Sequence, residues 1–145
     1  MNDFPTHQLP PDAQKRARTI ALLTTGAIDP NNHTIWAGAA AACKDAGVNL
    51  ICYPGRLVHS PIEFEAQRNV IYRMISRDTV DGLIIMGGLN AWVDLEETYE
   101  FLNRFKPMPV VTTGIVLDGI PGVTVDNYHG MHDVVTHLVS VHHRK

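Results

Sequence analysis

Short, continuously apolar runs alternate with segments of helical periodicity from Thr19 to the end of the chain. A strand is apolar at every position when helices cover both faces of a parallel sheet. Strands that alternate with helices at this spacing also favour parallel pairing with right-handed crossovers. We therefore predict an α/β fold, a three-layer αβα sandwich around a mainly parallel sheet. The predicted strands are Thr19–Thr24, Val48–Tyr53, Val80–Met86, Pro109–Thr113 and Val123–Val125.

Four helices are predicted between and after these strands. Ser60-Pro61-Ile62-Glu63 has the form of an N-cap serine, a proline at the first helical position and a glutamate that reaches back to the cap. Asp94 and Glu97 predict a similar start for the third helix. Apolar residues at helical spacing mark the other two helices: Ile35, Ala39, Ala42, Cys43 and Ala46, ending at Gly47, and Met131, Val134, Val135, Leu138 and Val139.

Length and composition exclude several classes of protein. The 145 residues are enough for one domain, and 45% of them are hydrophobic, so a core can form without disulfides or metal. A formal charge of −3 offers no basic surface for nucleic acid. The spacing of Cys43 and Cys52 fits neither a zinc ribbon nor a redox motif, so both are predicted to be reduced, structural thiols.

The first 18 residues, Met1–Arg18, are polar and proline-rich and show no periodicity, so we predict a flexible N-terminal arm followed by one domain over residues 19–145. The arm has no apolar run of the length that a secretory signal needs. No later run approaches the roughly 18 apolar residues of a membrane span. We expect a cytoplasmic protein without a membrane partner.

Four stretches, taken in order, resemble the ligand-binding region of the lactose-repressor and periplasmic sugar-binding family, from Arg18 to the end. They are RTIALLTTGAIDPNNHTIWAGAAAACKDAGVNLICY, RDTVDGLIIMGG, PVVTTG and GVTVDNYHGMHDVVTHLVSVHHRK. The resemblance implies one flavodoxin-like lobe, the N-terminal one, of a two-lobed domain that closes on a small ligand; the second lobe would lie outside this chain. Nothing in Met1–Arg18 resembles the helix-turn-helix of the family's repressors.

In open parallel sheets ligands bind beyond the carboxyl ends of the strands, and this rule selects the candidate ligand-binding residues. The presence of Asp29 at this position is sufficiently explained by a structural role as the N-cap of the first helix. Asn31 and Asn32 either belong to that cap or offer hydrogen bonds to a polar ligand. The full set is Asp29, Asn31, Asn32, His33, Trp36, Tyr53, Arg56, Gly87, Asn90, Trp92, Thr113 and Asp126.

Each remaining candidate has a structural alternative. Trp36 either stacks on a ligand ring or packs on its own domain, and packing is favoured. Arg56 either binds a carboxylate or phosphate or is a solvated loop residue, the favoured interpretation. Gly87-Gly88 either lets a ligand approach the backbone or forms a tight turn. For Asp126 a helix cap or hinge is favoured over ligand contact.

Metals and cofactors are not expected. His129, His132 and Asp133 share a helix face at a spacing that metal sites use, but no further ligand accompanies them, so a solvated face is favoured. No Walker or G-x-G-x-x-G pattern follows a strand. No local Ser-His-Asp or Cys-His arrangement is visible either.

The sequence predicts the effector-binding module of a cytoplasmic signalling or transcriptional regulator, with a small molecule as ligand and no enzymatic activity of its own. Two alternatives stay open: a repressor fragment without its helix-turn-helix, and an enzyme on a flavodoxin-like sheet, for which Asp29, His33, Asp118 and Asp126 are the titratable loop residues. A lobe that lacks its counterpart exposes an edge and apolar surface, so we also expect a homodimer.

Overall fold

The computed structural model describes residues 16–26 and 30–142. Its centre is a five-stranded sheet in which every pair of neighbouring strands is parallel. The strands are β1 (Thr19–Thr24), β2 (Asn49–Pro54), β3 (Gly82–Met86), β4 (Val110–Thr113) and β5 (Gly122–Val123), in the spatial order β2-β1-β3-β4-β5. The predicted α/β class is confirmed, and the lobe is consistent with a single flavodoxin-like unit.

Within residues 16–26 and 30–142, three α-helices and two 3₁₀ helices connect or follow the strands. They are α1 (Pro30–Asp45), the 3₁₀ helices Ala66–Met74 and Gly87–Asn90, α2 (Leu95–Asn103) and α3 (Asn127–His142). The predicted start of α2 is confirmed, because the Asp94 side chain accepts from the Glu97 backbone N–H at 2.9 Å and Glu97 reciprocates at 3.2 Å. None of the helices in the described residues is long and apolar enough to cross a membrane.

The helix predicted to start at Ser60 is wrong in both start and type. The chain is irregular after Ser60 and forms a 3₁₀ helix only over Ala66–Met74. Phe64 adopts a positive φ of 63°, which an α-helix does not allow, and its ring is exposed. The Ser60 hydroxyl donates to Glu65 at 2.9 Å, so it serves a different acidic partner from the predicted Glu63.

One sheet face, which we call the core face, carries Ala21, Leu23, Leu83 and Ile85. These residues pack under the 3₁₀ helix Ala66–Met74 and α2 in the main apolar cluster. A row of edge-to-face rings runs through the cluster: Tyr72 and Phe101 at 5.9 Å, then Phe101 and Phe105 at 5.3 Å.

The opposite face of the sheet, which we call the α1 face, is covered by a helix over only some of its strands. Leu22, Ile84 and Val111 are register partners on β1, β3 and β4, and Val123 on β5 pairs with Thr113, two residues beyond Val111. The exposed fraction rises across these strands, from 0% at Leu22 to 40% at Val111 and 74% at Val123. Helix α1 covers β1 and β2. The half formed by β3, β4 and β5 is bare.

Most of the predicted arm, residues 1–15, lies outside the described residues. Arg16–Arg18 are exposed coil, and the Arg16 guanidinium binds Asp81 at 2.8 Å just before β1 begins. Asp81 also accepts from the Thr19 backbone N–H at 2.7 Å. Its carboxylate therefore links the residue before β3 to the start of β1.

Candidate functional site: the crevice at the carboxyl edge

The carboxyl ends of β1, β2, β3 and β4 lie at one edge of the sheet because the strands are parallel. We call the space beyond this edge the crevice. Such edges are where open parallel sheets bind ligands, because helix starts and loop backbones converge there. The described residues around the rim include Thr25, Arg56, Gly88 and Asn32.

Arg56 is the charged centre of the rim. Its guanidinium forms an ion pair with Glu65 and donates to the Thr25 carbonyl at 3.3 Å. The Arg56 side chain keeps 36% exposure, whereas Glu65 keeps only 13%. The Nε of Arg56 is buried and has no hydrogen-bond partner among the described residues. The pairing with Glu65 neutralises the guanidinium, so the rim offers no uncompensated positive charge at this point.

The loop that carries Arg56 is fixed from below by Tyr72 and Asn69. The Tyr72 hydroxyl donates to the carbonyls of Thr24, at 3.3 Å, and Arg56, at 3.5 Å. The Asn69 side chain accepts from the Arg56 backbone N–H at 2.8 Å and donates to the Leu57 carbonyl at 3.0 Å. Burial raises the pKa of Tyr72, so its hydroxyl stays a neutral donor.

Asn32 lies in the first turn of α1 and contributes a polar side chain to the rim. Its amide donates to the Thr25 hydroxyl at 3.1 Å and to the Thr24 hydroxyl at 3.4 Å. The helix start is thus tied to the end of β1. Thr24 is buried and its hydroxyl donates to the Gly26 carbonyl at 3.1 Å, so the half-buried Thr25 hydroxyl and Asn32 amide are the polar groups at the rim. Such groups suit a polar ligand without net charge.

The two glycines after β3 differ in what surrounds them. A Cβ on Gly87 would lie 2.7 Å from the Thr113 carbonyl oxygen and 2.9 Å from the Gly114 carbonyl carbon. A Cβ on Gly88 would meet only the Thr25 methyl, at an ordinary 3.8 Å. Gly87 is therefore required by the close approach of two strand ends, whereas Gly88 is exposed and presents open backbone to the crevice.

Several candidates lie away from the rim. Trp36 is on the flank of α1, where its side chain hydrogen-bonds Cys52, and the exposed His33 ring lies 5.9 Å from it. Burial raises the pKa of the Cys52 thiol, an effect that the bond to Trp36 partly offsets. Tyr53 is 6% exposed and packs in the core cluster. Tyr53 therefore does not line the crevice.

The other candidates have local partners or lie at the margin. Asn90 donates to the Thr98 hydroxyl at 3.1 Å and so ties the turn after β3 to α2. Asp126 accepts from the His129 backbone N–H at 3.1 Å, as a helix cap does. Trp92 is 56% exposed, and Thr113 is half-buried at the end of β4. Asp29 lies outside the described residues, and Asn31 is described only as part of α1.

Sequence reasoning missed four residues that build the site. Tyr72, Asn69, Glu65 and Thr25 are absent from the candidate set, and the sequence pattern instead predicts Glu63 as the acidic partner of Ser60. A polar residue inside an apolar stripe, such as Tyr72, is the one signal in the sequence that indicates a buried hydroxyl with a bonding role.

Two histidines of α3 have local acidic partners. His129 Nδ1 lies 2.6 Å from Asp126, and His132 Nδ1 lies 3.5 Å from Asp133. Within residues 16–26 and 30–142 no group of three or more His, Cys, Asp or Glu is placed to hold a metal ion.

The contribution of the ionised Glu65 side chain to stability can be tested by its dependence on pH. The hydrogen bonds from Arg56 and then from Ser60 hold the pKa of Glu65 below its ordinary value. The unfolded chain therefore takes up a proton before the folded one as pH falls, so this stabilising contribution is full above about pH 4.3 and is lost below it. We expect Glu65→Gln to lower the urea midpoint at pH 7 and the gap to wild type to shrink at pH 3.5.

The matched control is Glu63→Gln, which changes an exposed carboxylate two residues away. Its urea midpoint should stay near that of wild type at both pH values. A Glu65→Gln gap of equal size at pH 7 and pH 3.5 would show that the Glu65 charge contributes nothing.

Comparison of the chain with protein-family models, with curated proteins and with solved structures finds no match. The function is therefore inferred from the crevice and from the sequence resemblance given above.

Proposed function

We propose that this chain is one lobe of a small-molecule-sensing module in a signalling or transcriptional regulator, with the ligand held in the crevice at the carboxyl edge of the sheet. The observation that carries the proposal is the polar rim formed by Asn32, Thr25 and Arg56, which is held in place by buried Tyr72 and half-buried Asn69. A rim fixed from below loses little conformational entropy when a ligand binds.

The charge of the rim favours a polar ligand without net charge. Glu65 already neutralises Arg56, so an anionic ligand would have to displace a carboxylate that accepts two hydrogen bonds. Hydroxyl, amide and carbonyl groups remain for a neutral ligand. The buried Nε of Arg56 lacks a partner among the described residues, so a ligand that reseats this side chain gains a hydrogen bond.

Sensing requires a second surface, because a ligand shifts a conformational equilibrium only through different affinities for its two states. The rim residues lie on the sheet side of the crevice. In the proposed module a second lobe closes over the ligand, and the closure is passed to an output module.

We expect this chain alone to bind hexoses, nucleosides and amino acids weakly, with no saturation at about 1 mM in calorimetry, because one side of a clamshell leaves much of a ligand in water. Tight, stoichiometric binding to the chain alone would contradict the proposal. In a regulator that carries both lobes, Asn32→Ala should weaken ligand binding by about tenfold. Asn49→Ala, at the opposite edge of the sheet, is the matched control and should not.

A further inference from the structure

The segment from Ser60 to Met74 is held in a conformation that its own residues do not favour. Phe64 has a φ of 63°, in the left-handed region that bulky residues rarely adopt, and its side chain is 67% exposed. The 3₁₀ helix Ala66–Met74 has nine residues, whereas runs longer than about four are uncommon. It contains neither glycine nor proline, so its own residues allow an α-helix.

The start of an α-helix is already present before Phe64. The Ser60 hydroxyl accepts from the Ile62 backbone N–H at 3.3 Å, the contact that an N-cap makes to the second residue of its helix. The Glu65 backbone N–H then donates to the Ile62 carbonyl at 3.1 Å, which closes a turn around Glu63 and Phe64. This one turn separates the cap at Ser60 from the 3₁₀ helix.

The carboxylate of Glu65 holds the turn in place. It forms the ion pair with Arg56 and accepts from the Ser60 hydroxyl at 2.9 Å. The Glu65 side chain is only 13% exposed, so both contacts are shielded from water. The conformation of the segment thus depends on a partner at the rim of the crevice.

A continuous α-helix offers different contacts to the same residues. At about 100° per residue Phe64, Ile71 and Ile75 fall on one stripe, and the two isoleucines already pack in or against the core cluster. The exposed Phe64 ring would join them. Tyr72 and Asn69 are three residues apart and share a face in either type of helix, so the supports of the rim do not oppose the change.

We infer that residues 60–74 are a two-state switch. While Glu65 is paired with Arg56 the segment keeps its tight turn, and when Arg56 is drawn away the turn refolds into one α-helix from the Ser60 cap to Met74. The trigger rests on the proposed function: a ligand that reseats Arg56, whose buried Nε lacks a partner among the described residues, releases Glu65. Occupancy of the crevice then alters a surface on the core face, because the ligand favours one of two states.

Two substitutions at Phe64 report which state is present. Glycine adopts the left-handed region readily but weakens an α-helix relative to alanine. In the otherwise unchanged chain Phe64→Gly should therefore unfold at a higher urea concentration than Phe64→Ala, by about 0.5 M. When Glu65→Ala is added to both, the order should reverse, and far-UV circular dichroism should show more α-helix. Arg56→Gln removes the other partner and should give the same reversal.

The matched control is Glu63→Ala, which removes an exposed carboxylate of the same turn and should leave Phe64→Gly the more stable variant. An advantage of Phe64→Gly that persists with both Glu65→Ala and Arg56→Gln would overturn the switch, as would greater stability of Phe64→Ala in the otherwise unchanged chain. These measurements use no ligand, so they are independent of the proposed function. A two-lobed regulator that binds its ligand without a gain of α-helix would overturn the trigger while the proposed function stands.

Discussion

Replacing Tyr72 with alanine is expected to lower the free energy of unfolding by about 3–5 kcal/mol, the cost of emptying a buried aromatic site. The ring is 1% exposed and packs edge-to-face on Phe101. Its hydroxyl also joins the end of β1 to the Arg56 loop through the carbonyls of Thr24 and Arg56. The loss should appear in urea denaturation as a lower midpoint with little change in slope.

Two conservative variants separate the ring from the hydroxyl. Tyr72→Phe should cost only about 1 kcal/mol, since it keeps the ring but removes the donor to two carbonyls. Tyr99→Phe is the matched control, because the Tyr99 hydroxyl donates at 3.1 Å to the carbonyl of the exposed Asp118, which water can satisfy instead. A Tyr72→Ala loss no larger than that of Tyr99→Phe would show that the site repacks without the ring.

The sheet could be predicted because its signal is local. β1 was predicted at its exact bounds, and the other strands lie within about two residues of their predicted positions. Continuous apolarity, however, gives no alternation from which to read the face of each residue. Tyr53 aligns with Leu23 and therefore points into the core, a fact that only the register reveals.

The segment after Ser60 could not be predicted because distant contacts decide it. Ser60-Pro61-Ile62-Glu63 is a sound local start for an α-helix. The ion pair between Arg56 and Glu65, together with the bond from Ser60 to Glu65, instead holds the segment in a tight irregular path. The local propensity for an α-helix is overridden because Glu65 binds the guanidinium of Arg56, which lies just after β2.

The same reason limits prediction of the site. The position of a polar residue after a strand indicated Asn32 and Arg56, since strand ends converge by topology alone. Their supports, Tyr72 and Asn69, belong to a 3₁₀ helix on the core face and meet the rim 13 or more residues away in sequence. Helix α3 was predicted correctly, but its apolar stripe is exposed, and an amphipathic pattern does not say what such a stripe covers.

Gly87→Ala is expected to destabilise the lobe by about 1–3 kcal/mol, although it adds a single methyl group, because overpacking displaces neighbours that cannot yield. The new Cβ would lie 2.7 Å from the Thr113 carbonyl oxygen, 2.9 Å from the Gly114 carbonyl carbon and 3.1 Å from the Ile115 nitrogen. All three are backbone atoms, so relief requires the end of β4 to move away from β3. Urea denaturation measures the loss.

The adjacent glycine is the matched control, and its expected result has the opposite sign. Gly88→Ala places the Cβ 3.8 Å from the Thr25 methyl, an ordinary contact, so the lower entropy of the unfolded chain should stabilise the lobe by about 0.4–1 kcal/mol. Equal effects of the two alanines would mean that β3 and β4 do not approach as closely as described. If Gly88→Ala leaves the fold intact but weakens ligand binding in a two-lobed regulator, then the ligand approaches the backbone at Gly88, on the open side of the rim.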